Sequence, residues 1–235
     1  MDKQKNPVES KVIYVLILVT LVQTIYPLTI SNTLAATIGY QALYTSLMVA
    51  GILVVRERPY YTRALIITGL VWLVVGTIYA FNPQAQWANI IGYVVIAIFQ
   101  GLVVRVLLHY IFTTRRVSRD MLYAACAVYL LLGAIFVPIY GLIETFTWFP
   151  EQTSHAFVDG LNNYAGVPIP WQTFVYYSYA TLTTLGYGDI LPATFWARSA
   201  ASVEAIVGVL YITIIMARLV GLYAANEVEE DVVSA

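Results

Sequence analysis

Six apolar stretches run through this chain, at 12–30, 36–55, 64–81, 87–112, 121–143 and 195–223. Each is close to or above the roughly 20 residues that a helix needs to cross the hydrocarbon core of a bilayer. Little charge dilutes them. Of the 235 residues, 60% are hydrophobic and only 11% are charged, too few to clothe a soluble domain. A lipid exterior removes that need. The expected architecture is therefore an all-α membrane protein with six transmembrane helices.

Six spans put both ends of the chain on one side, and the basic residues say which. Lys3, Lys5 and Lys11 precede the first stretch, Arg56, Arg58 and Arg63 fall in the second connection, and Arg115, Arg116 and Arg119 in the fourth. Arg218, near the end of the sixth stretch, falls on the same side, and Arg198 alone on the other. Positive residues accumulate on the cytoplasmic face, so both termini are expected in the cytoplasm of a cell-membrane protein. Asn82, Pro83 and Gln84 separate the third and fourth stretches, and Glu57, Pro59 and Asp120 complete the other links. The first apolar run is longer than the core of a typical secretory signal, which points to a retained helix. Cys126, the one cysteine, lies inside the fifth stretch and reads as packing.

The helical rhythm breaks between 144 and 194. Trp148, Pro150, Glu151, His155, Asp159, Asn162, Asn163, Pro168 and Pro170 mark 145–170 as a long polar loop on the outer face. From Trp171 to Thr183 an apolar, aromatic helical pattern returns. It is too short to cross, so it reads as a re-entrant helix. Thr183-Thr184-Leu185-Gly186-Tyr187-Gly188-Asp189 follows, and then Ile190-Leu191-Pro192. Non-helical backbone at membrane depth is tolerated only where protein buries it or an aqueous path runs beside it. Carbonyl oxygens that replace an ion's hydration water satisfy that condition.

Thr181 to Asp189 carries every position of T-x-x-T-x-G-Y-G-D, and with Tyr176–Ala180 before it resembles the pore helix and selectivity filter of tetrameric potassium channels. The resemblance covers roughly 120–223. The first four stretches match only the general layout of the bacterial six-span members, here without a charged voltage sensor or a cytoplasmic regulatory domain. It implies a homotetramer of this chain and three identical copies, with potassium as the permeant ion and no cofactor. The implied potassium ligands are the carbonyls of Thr184, Leu185, Gly186 and Tyr187 with the Thr184 hydroxyl. Thr181, Thr183, Gly188, Asp189, Tyr176 and Tyr177 are implied supports. Glycines at 186 and 188 allow backbone conformations closed to other residues.

Around this segment the residues suggest further roles. Tyr176 and Tyr177 read either as braces behind the filter, with Tyr176 bonded to Asp189, or as packing. Some relatives carry a glutamate where Ala180 stands, so their route to filter collapse does not carry over. In the last stretch Gly208 reads as the family's hinge or as a close-packing site. Val209, Ile212 and Met216 follow at helical spacing and resemble a cavity-lining stripe with an apolar constriction. Glu204 lies deep in an apolar span and needs partners, whether it tunes conduction or only accepts hydrogen bonds behind the filter.

The fourth stretch holds only Arg105 and His109 as basic residues, both near its cytoplasmic end. Steep voltage gating uses three or four gating charges per subunit. The expected organisation is thus a non-voltage-sensing bundle at 1–114, a pore domain at 115–223 and a short acidic tail at 224–235. Gln23, Thr24 and Gln100 are expected to bond between helices, and Trp72 and Trp87 to pack or anchor at the interface. Competing classes are a weakly selective cation channel, a receptor module on the same fold, and a secondary transporter, which would show inverted repeats. An enzyme is not expected: His109 and His155 fall on opposite faces, and the sequence shows no metal cluster, phosphate loop or nucleophile arrangement. Membrane lipids are expected around the protein and no nucleic acid; tension, lipid, pH or a separate partner stay open as the gating stimulus.

Overall fold

The computed structural model describes residues 9–31, 34–55, 59–81, 85–115, 117–148, 154–160, 164 and 167–234. Of the residues named above, Lys3, Lys5, Arg56, Glu57, Arg58, Asn82, Pro83, Gln84, Arg116, Pro150, Glu151, Asn162 and Asn163 lie outside these. Seven helices follow in order: α1 (Glu9–Ile25), α2 (Leu34–Val55), α3 (Pro59–Phe81), α4 (Gln86–Thr113), α5 (Arg119–Trp148), α6 (Trp171–Leu182) and α7 (Phe195–Ser234). All but α6 are long and apolar enough to cross a membrane. Two three-residue strands, β1 (Phe157–Asp159) and β2 (Ile190–Pro192), make the one sheet among the described residues.

The chain packs on itself with short connections. Residues 114–118 join α4 to α5, so α4 lies against the α5 of its own chain, with α3 on its other side and α1 also on α5. Val12, Val15, Val19 and Val22 recur at helical spacing along α1 and are fully buried. They share one core with Leu107 and Ile111 of α4 and Met121, Ala124 and Val128 of α5. The opposite faces stay apolar too: Ile17, Leu21, Leu53, Ile67, Leu70 and Val74 are exposed. Helices apolar all round suit a lipid exterior, where packing and interhelical polar bonds hold helices together.

A second core gathers at the C-terminal half of α5. The rings of Tyr140, Phe157 and Tyr177 lie 5.0–5.3 Å apart pairwise, at steep interplanar angles of 69–80°. Such edge-to-face pairs contribute about 0.5–1.5 kcal/mol each beyond their burial. This core ties α5 to β1 and to α6.

Four boundaries differ from the sequence reading. α1 stops at Ile25 and continues as a 3₁₀ segment, Tyr26–Ser31. Pro27 explains the change, since it lacks an N–H and its ring crowds the carbonyl four residues earlier. α5 runs on to Trp148, past the expected end at 143, because Glu144 and Trp148 are buried rather than solvated. The stretch read as polar loop contributes β1, antiparallel to β2 with Phe157 opposite Pro192 and Asp159 opposite Ile190. The acidic tail is the continuation of α7 to Ser234. Cys126 is exposed on α5 in the single chain.

Candidate functional site

The loop after α6 is built by the end of that helix. At 1.5 Å per residue its 12 residues span about 18 Å, short of the bilayer core. The last carbonyls of a helix have no partner within it, and here the turning chain supplies them. Thr183 N–H donates to Tyr179 O at 3.1 Å and Thr184 N–H to Thr181 O at 2.9 Å. Leu185 and Gly186 N–H both donate to Ala180 O, at 2.9 and 3.1 Å. The Thr183 hydroxyl adds a bond to Tyr179 O at 2.6 Å, and Thr181 Oγ1 donates to Tyr177 O at 2.9 Å.

Beyond this turn the backbone hand alternates. Thr184, Gly186 and Gly188 have φ of +58°, +54° and +79°, and among the described residues Thr184 is the sole non-glycine with positive φ. A β-branched residue there is strained, at about 1–3 kcal/mol. Alternating left- and right-handed residues turn successive N–H groups to one side, and so the carbonyls to the other. The amides of 184–186 face α6, and no hydrogen bond among the described residues reaches the carbonyls of Thr184, Leu185, Gly186 or Tyr187. Residues 183–189 are exposed in the single chain. A row of free carbonyls on an open side, at the negative end of a helix, can take the place of water around a cation.

Side chains pin the C-terminal end of this row. Tyr176 Oη donates to Asp189 Oδ2 at 2.8 Å, and Ile190 N–H donates to Oδ1 at 3.0 Å. The Tyr176 ring stacks on Tyr187 with centroids 6.1 Å apart and planes within 7°. Desolvation and then the Asp189 carboxylate push the Tyr176 hydroxyl up to about 12, so it remains a donor at neutral pH. Gly160 N–H donates to Asp189 O at 2.7 Å, which extends the β1–β2 ribbon to the loop. Tyr177 does not join this brace: it is buried in the aromatic core behind α6.

Behind α6 lies Glu204 of α7, 0% exposed. Tyr140 Oη of α5 donates to its Oε2, and Ser178 Oγ of α6 lies 2.5 Å from Oε1 and 2.7 Å from Gly133 O. One carboxylate thus joins three helices at the back of the loop. One turn further along α7, a Cβ at Gly208 would overlap the Leu182 carbonyl. The absent side chain lets α7 pass against the last residue of α6, and α7 runs through this position as a helix. Val209, Ile212 and Met216 are exposed in the single chain.

Three polar features escaped the sequence reading. Glu144 is 2% exposed; its Oε1 is 2.6 Å from His155 Nδ1, and its Oε2 accepts Ala156 N–H at 2.8 Å. Ala156 O in turn accepts Ala193 N–H at 2.8 Å, just past β2. Arg218 of α7 donates from Nε to Ile111 O at 3.0 Å and from Nη2 to Phe112 O and Thr114 O, both at 2.8 Å. It caps the C-terminal end of α4, where a cation is favoured. At the other end of the bundle, Gln172 Nε2 donates to Thr29 Oγ1 at 3.0 Å and Tyr40 meets the Trp171 ring at 5.1 Å. Acids deep in apolar helices were the available signal for Glu144; nothing local marks a carbonyl cap made 104–107 residues away.

In the bundle, Gln100 Nε2 donates across to Tyr44 Oη at 2.8 Å, as expected of an interhelical amide. Thr24 bonds instead within its own helix, to Thr20 O at 2.8 Å, the usual outlet for a helical hydroxyl without a polar neighbour. Trp72 stacks on Tyr44 at 4.8 Å, and Trp87 is exposed at the start of α4.

Residues 124–224 match the family model described as "Ion channel". The matched span holds nearly all of α5, all of α6 and the loop after it, and α7 to Ala224. That segment is similar to the domain of a family of channels, a class that is not enzymatic, and it lies among helices long and apolar enough to cross a membrane. No curated protein and no solved structure matches the chain.

Proposed function

We propose that the chain is one subunit of a potassium-selective channel of the cell membrane, with four copies around one ion path. One observation carries the reading. Left-handed residues stand at alternate positions 184, 186 and 188, while the amides of Leu185 and Gly186 are held by Ala180 O. This leaves the oxygens of Thr184, Leu185, Gly186 and Tyr187 as four successive cation ligands, with the Thr184 hydroxyl below them. One chain offers a quarter of each ring, and head-to-tail contacts around a fourfold axis complete it. Four copies of Asp189 concentrate cations at the outer mouth. The exposed stripe of Val209, Ile212 and Met216 then lines the cavity beneath the filter, and Glu204 holds the filter's back wall. Both termini face the cytoplasm, α6 is re-entrant, and conduction is passive, with weak intrinsic dependence on voltage.

The test is a recording of purified protein in planar bilayers under opposing potassium and sodium gradients. Reversal potentials should follow potassium. Equal permeability to the two ions would sink the selectivity claim. A native mass of the conducting preparation should correspond to four chains; a conducting monomer or dimer would overturn the assembly.

A further inference from the structure

The bundle holds a cleft that the filter does not use. It has a volume of about 250 Å³ and is lined by Tyr61 of α3 and by Arg105, Val106 and His109 of α4. Arg105 and His109 are one turn apart on α4 and both are exposed, so their side chains leave the same helix face. The Arg105 guanidinium carbon lies 5.9 Å from the centre of the Tyr61 ring, within cation–π range. Among the described residues no carboxylate pairs with Arg105 or His109, and no hydrogen bond engages the Tyr61 hydroxyl.

Depth decides what such a cleft would hold. Along α4, Arg105 lies 18 residues from the exposed Trp87, about 27 Å at 1.5 Å per residue. With Trp87 at one interface, this places Arg105 near the headgroup level of the other leaflet, since the hydrocarbon core is about 30 Å thick. Tyr61 stands at the start of α3, at the same end of the antiparallel pair. The cleft therefore offers a planar guanidinium, a ring N–H and a phenol hydroxyl at the depth of lipid phosphates. Guanidinium groups bind phosphate oxygens in bidentate fashion, and imidazole carries a donor N–H in either tautomer.

We propose that this cleft binds the phosphate of an anionic glycerophospholipid of the inner leaflet, an inference that rests on the membrane reading above and not on conduction. Tyr61 holds the guanidinium in place, and Arg105 and His109 share the phosphate. The site lies one to two turns from the α4 carbonyls that Arg218 of α7 caps, so an occupied cleft stiffens the end of α4 to which the inner helix is tied.

Binding is measured by native mass spectrometry and by thermal shift on the purified protein in phosphatidylcholine nanodiscs, titrated with phosphatidylglycerol. Arg105→Gln with His109→Gln should weaken binding about tenfold and abolish the thermal shift, while melting in phosphatidylcholine alone stays as in the wild type. Arg105→Lys should retain the charge yet lose several-fold. Arg115→Gln, an exposed arginine outside the cleft, should bind as the wild type does. An equal loss in Arg115→Gln would reduce the effect to diffuse surface charge and overturn the site. A thermal shift from millimolar inorganic phosphate equal to that from phosphatidylglycerol would assign the cleft to a soluble anion and overturn the lipid proposal. Because neither readout needs current, a non-conducting protein that binds the lipid separates this proposal from the channel reading.

Discussion

The two halves of the chain, α1–α4 and α5–α7, bury their polar groups differently. In the first half Gln100 donates to Tyr44, yet Gln23 Oε1, Gln41 Nε2 and Gln100 Oε1 are buried without a partner. In the second half both oxygens of Glu144 and of Glu204 and the Ser178 hydroxyl are bonded, while His155 Nε2 and Gln172 Oε1 are buried without a partner. Both halves thus leave neutral atoms unpaired, and the difference lies in the buried acids, found among the described residues only at Glu144 and Glu204, whose bonds hold their partners in one geometry. The two bonded acids tie α5, α6 and α7 to one another and to the segment before β1. Arg218, with its three bonds to the end of α4, is where α7 takes hold of the other half.

The largest effect that would sharpen this contrast is expected at the loop itself. Gly186→Ala puts a side chain on a residue at φ +54°, although nothing in the chain lies within 4 Å of the added carbon. The damage is therefore to backbone conformation, and selective potassium current should be abolished while the tetramer still assembles. Normal reversal potentials in this variant would remove the filter from the account.

Next come the supports behind it. Glu204→Ala strands the Tyr140 hydroxyl at a cost of about 1–3 kcal/mol, while Ser178 keeps Gly133 O as its acceptor; Glu204→Gln keeps an acceptor for Tyr140 and should lose less. Thermal melts in detergent that rank the two variants equally would show that the carboxylate bonds do not matter. Gly208→Ala separates the two roles open at that position. A hinge glycine replaced by alanine gains helix stability, roughly 1 kcal/mol. A packing glycine replaced by alanine is destabilised by overlap with Leu182 O. The melting temperature is expected to fall, and a rise would restore the hinge.

Arg218→Gln should have a smaller, different effect. Loss of charged hydrogen bonds, worth about 1.5–3 kcal/mol each, should alter open probability without moving the reversal potential. An unchanged open probability would mean that the halves are not coupled through this residue. Smallest of all is the response to voltage. Moving one charge fully across 100 mV is worth about 2.3 kcal/mol, so four copies of Arg105 crossing about a tenth of the field give roughly 1 kcal/mol. A shallow open-probability curve is expected in symmetric potassium, and a steep one would show that α4 carries gating charge after all.

Much of this was legible in the residues because the relevant forces are local. A run such as 87–112 is helical and membrane-bound whatever surrounds it, since lipid leaves its backbone no other partners. Gly186 and Gly188 state their left-handed backbone by residue type, while Thr184 takes it against its own preference, and the resemblance to the channel family pairs Tyr176 with Asp189, 13 positions on. Glu204 announced its need for partners by being acidic in an apolar helix, but not which partners. Those were decided by tertiary structure. Tyr140 is 64 positions away from Glu204 and Ser178 is 26, and only packing brings them together. The same holds for the end of α5, which Glu144 would have closed had His155 and the Ala156 amide not met its carboxylate. It holds for β1, three residues with no strand signature that become a strand because β2 is beside them. Composition and pattern settle the medium and the backbone, because these depend on each residue and its near neighbours. The pairing of buried charges depends on which distant segments share a wall, and that is decided only when the helices pack.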